Sequence, residues 1–275
     1  MRTEARESWR RALDSWALPE QLLAGVDDSP FSWPAHLYER MITLDSESPA
    51  VAMAAGLVGA GGSILDVGAG AGRLAIPLAG RGFRVTAVER DEGMARALGD
   101  AARRADLEVT RIVGPWPQVA GNAGVHDLCL SGHVVFDVPA IGPFLEAMNR
   151  AARRAVIIEM TPRHPWSGLK RYYRALHGID RPTRPTVDDF VQVVEEVVGV
   201  VPEVEWWTTS PAFRFADTQE LLEFYRRRLL VPPARSLEAA ALLEPDIHRL
   251  DDGWLVLGPP EREVAGVWWR TSQHG

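Results

Sequence analysis

A chain of 275 residues with 46% hydrophobic and 24% charged residues suits one large soluble domain, or a domain with a cap. Its formal net charge of −7 argues against general attraction to nucleic-acid backbones. The single cysteine, Cys129, excludes an internal disulfide and a cysteine-based zinc site. The N-terminus, Met1 to Glu7, is polar with no apolar run behind it, so no secretory signal is expected, and the uncharged residues 50–65 are too rich in Ala and Gly to span a membrane. The expectation is a cytoplasmic protein.

Over residues 4–24, Trp9, Leu13, Trp16 and Ala17 share one helical face. A turn-rich connector with Phe31 and Trp33 follows, then a short helix over 34–41 and another over Pro49–Val58 with Ser48 as N-cap and Pro49 at the first position. From Ser63 the pattern alternates between strand and helix, which predicts a parallel sheet with right-handed crossovers. Predicted strands are Ser63–Val67, Arg84–Val88, Glu108–Val113, Asp127–Ser131 and Ala155–Met160. Predicted helices are Ala71–Gly80, Glu92–Ala105 and about Pro143–Arg153. Residues 114–126 are too broken by Gly and Pro for a full crossover helix. Thr186 with Asp189 opens a later helix as a capping box, Val204–Thr208 reads as a strand, Asp217 with Glu220 opens a second helix and Ser236 a third. Two late strands, Trp254–Leu257 and Val264–Trp269, flank the turn Gly258-Pro259-Pro260. Four parts result: a helical extension or lid over 1–60, a sheet core over 61–160, a cap over 161–250 and closing strands over 251–275.

The core opens with Ile64-Leu65-Asp66-Val67-Gly68-Ala69-Gly70-Ala71-Gly72-Arg73, an apolar strand breaking into alternating glycines before a helix. That layout brings backbone close to a cofactor. A dinucleotide fingerprint would need glycine at position 73, where Arg73 stands. The D-x-G-x-G-x-G form, carried by Asp66, Gly68, Gly70 and Gly72, resembles that of the class I S-adenosylmethionine (SAM) dependent methyltransferases. The resemblance covers about residues 60–160. It implies a Rossmann-like α/β fold with a mostly parallel seven-stranded sheet whose last strand is antiparallel, here with the helical N-terminal extension and a cap inserted after strand five.

SAM, leaving as S-adenosylhomocysteine, is the cofactor this resemblance implies, with no metal. It places Asp66, Gly68, Ala69, Gly70 and Gly72 around the cofactor's methionine part and ribose. Glu89, at the end of the second strand, becomes the acceptor of both ribose hydroxyls, with Arg90 and Met94 beyond it. The third strand lacks the acid that often reaches adenine, so Gly114 and Trp116 are the candidates there; Trp116 fits equally well as a packed hinge residue. Ser131 ends the fourth strand on the cofactor side.

For the reaction itself, no Asn/Asp-Pro-Pro-Tyr/Phe tetrad follows strand four, which removes the signature of methylation at exocyclic amines of DNA bases. His133 stands two residues beyond that strand as a candidate base, with His164 as a second. Aromatic residues of the extension and cap (Trp9, Trp16, Phe31, Trp33 and Tyr38, then Trp166, Tyr172 and Tyr173) could wall a pocket. Arg171, Arg174, Arg181 and Arg184 read first as solvated surface charges. The favoured partner is a small-molecule acceptor, with neither nucleic acid nor membrane. An RNA or protein methyltransferase and a non-catalytic SAM-binding protein stay open as alternatives.

Overall fold

The computed structural model describes residues 3–23, 48–211 and 213–271. The predicted helix over 34–41 and the aromatic residues Phe31, Trp33 and Tyr38 lie outside them. One seven-stranded sheet organises the chain: β1 (Ser63–Val67), β2 (Arg84–Glu89), β3 (Val109–Val113), β4 (His126–Gly132), β5 (Ala152–Met160), β6 (Glu203–Thr209) and β9 (Arg262–Arg270). Their order is β3-β2-β1-β4-β5-β9-β6, and only β9 runs against its neighbours. Strand order reverses between β1 and β4, and the crevice at the carboxyl ends of those strands is where open α/β sheets bind ligands.

Period-two alternation divides the buried residues between the two faces. Leu65, Val67, Cys129, Val156 and Ile158 pack with the helices Ile141–Ala151 and Val187–Val198. Ile64, Leu128, Leu130, Ala155 and Ile157 pack with the helices Pro49–Val58 and Ala75–Gly80. A third cluster, from Leu169 to Leu255, forms the core of the helices Lys170–His177, Thr218–Arg228 and Ser236–Leu243. Among the described residues no helix is long and apolar enough to cross a membrane.

Several local expectations are refined. The helix predicted from Ala71 begins at Ala75, because residues 71–74 complete the glycine turn. The crossover between β3 and β4 is reduced to one turn, Ala120–Ala123. Trp254–Leu257 does not close the main sheet. Its ordered part, β8 (Leu255–Leu257), pairs antiparallel with β7 (Ile247–Arg249), and Leu255 is bridged to Phe215. The physical reason is that Leu255 belongs to the third apolar cluster, so this strand is drawn to the cap while β9 alone fills the place between β5 and β6. The amphipathic stretch over 4–24 resolves into Glu4–Asp14 and a single turn, Glu20–Leu23, parted at Pro19.

The first helix leans on Val187–Val198. Glu196 accepts from the Ala5 N–H at 2.7 Å and pairs with Arg6, while Trp16 donates to the Arg184 carbonyl just before that helix starts, so the two run antiparallel. Trp9 is fully buried, donates to the Val138 carbonyl at 3.1 Å and stacks on Phe136 at 5.8 Å. The helix therefore packs on one face of the sheet, with Trp9 reaching the loop after β4.

Candidate active site

Between β1 and the helix Ala75–Gly80, the glycine loop folds against the end of β2. Gly68 and Ala69 both donate to the Val88 carbonyl, at 2.8 and 3.0 Å. A Cβ at Gly68 would collide with Val134 at 2.4 Å and one at Gly72 with Ile76 at 2.8 Å, whereas at Gly70 (φ +55°) it would meet no protein atom within 4 Å. The open side of the loop is therefore at Gly70. Glu89 frames it: one carboxylate oxygen accepts from the Gly70 N–H and the other from the Asp91 N–H, both at 2.8 Å. Each oxygen keeps a lone pair for a further donor.

Asp66 lies below this loop, buried, with Oδ2 lacking any hydrogen-bond partner. Burial pushes its carboxyl up to about 7 against the pull of Arg73, with Glu89 adding to the rise. Met94 half-buries its side chain in the first turn of Glu92–Arg104, where Asp91 caps its N–H at 2.8 Å, and Arg90 is exposed beside it. Gly114 donates to the Glu89 carbonyl at 2.9 Å. Trp116 gives its indole N–H to the Phe144 carbonyl at 3.1 Å and packs on the core, so its polar edge is already engaged. Ser131 likewise uses its hydroxyl on the Val67 carbonyl at 2.7 Å, tying β4 to β1 at their carboxyl ends.

On the other side of the crevice, His133 takes a left-handed conformation (φ +61°), sparsely populated for a residue with a side chain. Its N–H donates to the Glu159 carbonyl at 2.8 Å, and its Nε2 lies 3.0 Å from Glu159 Oε1. Glu159, at the end of β5, also pairs with Arg73 of the glycine loop and accepts from the Ser48 hydroxyl at 3.3 Å. Ser48 thus precedes its helix as predicted, but its hydroxyl leaves the cap to serve Glu159. Arg73 reaches Glu159 across Gly132, where a Cβ would stand 2.6 Å from its guanidinium.

Burial raises the Glu159 carboxyl, but Arg73 and His133 more than offset this and hold it well below the usual carboxylate range. Burial pushes His133 down to about 4, opposed by its bond to Glu159 and reinforced by Arg262 and Arg73. The histidine is therefore neutral near pH 7. No local pattern in the sequence singles out the Arg73 side chain or Arg262. The only signal for Glu159 is an acid placed inside the apolar run Ala155-Val156-Ile157-Ile158-Glu159-Met160.

His164 is built into packing. Its ring stacks on Trp16 at 3.9 Å and meets Phe136 edge-on at 5.5 Å, while Nδ1 accepts from the Trp166 N–H at 3.3 Å. Burial, with Arg181 nearby, pushes it down to about 3. Arg181 is not a solvated surface charge: it is buried, bonded to the Trp16 and Ala17 carbonyls, and lies over the Trp16 and Tyr173 rings. The Trp16 and Ala17 carbonyls lie just past the end of the first helix, where no further helical turn pairs them, and they recruit this cation. Arg171 and Arg184 pair with Asp246 and Asp189, and Arg174 lies 3.7 Å from Asp180. Among the described residues no group of three His, Cys, Asp or Glu side chains could hold a metal ion.

Comparison with known proteins agrees with this geometry. Residues 64–155 match the family described as "Methyltransferase domain". No curated protein matches the sequence. Among solved structures, the magnesium protoporphyrin IX methyltransferase ChlM from Synechocystis PCC 6803, with bound SAH, is 16% identical. The match covers 96% of this chain and 98% of that one at a TM-score of 0.51. A candidate methyltransferase from Bacillus halodurans C-125 is 14% identical, with 82% and 99% covered and a TM-score of 0.52. At these identities the likeness is one of fold. The family match runs from β1 into β5 and so spans the strands that build the crevice, while the parts before and after it lie outside the match.

Proposed function

We propose that the protein transfers the methyl group of SAM to an oxygen or nitrogen of a small-molecule acceptor. The observation that carries this reading is the glycine loop with its open side at Gly70, framed by the Glu89 carboxylate and backed by the orphaned Asp66 Oδ2. These residues fit the cofactor: backbone free of side chain where it approaches, and a carboxylate with spare lone pairs for two ribose hydroxyls. When bound, SAM supplies an electrophilic methyl group on a sulfonium.

The chain's own residues then have three tasks. Glu89 and the glycine loop hold the cofactor, the segments after β3 and β4 orient it, and His133 takes a proton where the acceptor has one to lose. An alcohol or phenol must shed its proton, and a neutral imidazole is able to accept it. His164, enclosed by Trp16 and Phe136, has no part in this reading. The net charge of −7 favours a small acceptor over nucleic acid.

Calorimetry tests the cofactor assignment. SAM and S-adenosylhomocysteine should both bind the wild type, and Glu89→Ala should weaken binding by roughly 1.5–3 kcal/mol. Wild-type protein that binds neither compound would overturn the function, and an unaffected variant would overturn the role of Glu89.

A further inference from the structure

We propose that Glu159 is a positioning residue that holds the His133 imidazole in its Nε2–H tautomer, so that Nδ1 is the nitrogen offered to an acceptor's proton. The inference rests on the reading of His133 as the base. Four segments converge on this carboxylate: Arg73 from the glycine loop, His133 from the loop after β4, Ser48 at the entry to Pro49–Val58, and β5 itself. Its side chain is only 3% exposed, so it is an anion held by partners rather than by water.

An ionised carboxylate only accepts hydrogen bonds, so the proton in the 3.0 Å contact belongs to Nε2. Arg262 Nη2, 3.4 Å from the same nitrogen, cannot then donate into it, and its Nε donates instead to the Ser210 carbonyl at 3.2 Å. His133 Nδ1 has no hydrogen-bond partner among the described residues and is not among their sealed, unpartnered polar atoms. The ring is 18% exposed, which leaves Nδ1 open to solvent. The backbone holds the same pairing a second time: the left-handed turn at His133 is locked by its N–H on the Glu159 carbonyl. The charged groups facing the imidazole are thus Glu159, Arg73 and Arg262, with Asp66 behind Arg73. Both guanidiniums disfavour a doubly protonated ring, and Glu159 alone favours the Nε2–H form over its alternative.

The test is nitrogen-15 spectroscopy of the histidine side chains on the whole protein at pH 7, with His133 assigned by the signal missing from His133→Asn. The expected result is a bare Nδ1 and a protonated Nε2 whose proton exchanges slowly with water. Arg262→Gln should preserve that pattern. Arg73→Met combined with Glu159→Met removes both buried charges together. It should abolish the slowly exchanging Nε2–H signal and draw the two nitrogen shifts toward each other as the second tautomer becomes populated. A wild-type ring protonated on Nδ1, or averaging between tautomers, overturns the proposal even if the double variant does not fold. So does a double variant that keeps the wild-type pattern. Failure of SAM to bind would sink the methyltransferase reading without touching this result, so the two failures are distinguishable.

Discussion

At the scale of single residues, the site is a set of titratable groups whose burial sets their charge. His133 and His164 are pushed down to about 4 and about 3, so the folded protein prefers both rings neutral. Their ordinary value near 6.5 applies in the unfolded chain. Stability from this source is therefore complete above about pH 6.5 and is lost as pH falls toward the folded values, at about 1.4 kcal/mol per pH unit for each histidine. In urea denaturation at a series of pH values, His164→Phe should lower the slope of stability against pH by about 1.4 kcal/mol per unit below about pH 6.5, and an unchanged slope would mean that His164 is solvated in the folded state. Asp66 has the opposite sign. Raised from 3.8 to about 7, it favours folding when protonated, and that contribution is lost as pH rises from about 4 through 7. Asp66→Asn should remove that decline in thermal stability between about pH 4 and 7, and an unchanged profile would mean that Asp66 is solvated in the folded state. Turnover separates the roles of His133: as a base it contributes on the order of 100- to 10,000-fold. His133→Ala should lose that factor, with SAM affinity by calorimetry nearly unchanged.

At the scale of elements, aromatic residues tie the N-terminal helix to one face of the sheet and to the cap. Trp9 fills the angle between Phe136 and Phe190, at 5.8 and 5.5 Å, and its indole N–H satisfies the Val138 carbonyl in the loop after β4. Trp9→Ala should cost about 3–5 kcal/mol, since it opens a large cavity and strands a carbonyl. Chemical denaturation measures this directly, and a loss below about 1 kcal/mol would mean that the helix is not docked in solution. Trp16, just past the same helix, ties it to the cap through His164 and Arg181.

For the whole molecule, the two sheet faces and the cap have separate apolar clusters. The small sheet β7–β8 is two three-residue strands bonded to the cap through Phe215 and Leu255, whereas β1, β4 and β5 are central and flanked on both sides. Hydrogen exchange should therefore be slowest in β1, β4 and β5, opening only with global unfolding, and should reach β7–β8 by a smaller opening. Equal protection in both regions would show that the cap and the sheet unfold as one unit.

Most elements of the sheet were legible in the sequence because their signals are local. A short, largely apolar stretch followed by alternating glycines identifies β1 to the residue, and Thr186 with Asp189 marks a helix start whose capping box the structure contains. Glu89 was legible as a possible ligand for the same reason, being the residue that ends a strand of clear pattern. Pairing choices were not. Trp254–Leu257 has strand character, yet whether it joins β9 or the cap depends on which apolar cluster takes Leu255, a competition that local pattern does not encode. The charged network lay equally beyond reach. Glu159 is 86 residues from Arg73 and 111 from Ser48, and position 73 stood out in the sequence only as a missing glycine. The sequence by itself determined which strands form and where the backbone opens for a cofactor, because those depend on neighbours in the chain. Tertiary structure alone decided which buried charges meet, because a carboxylate removed from water must find its partners wherever the fold brings them.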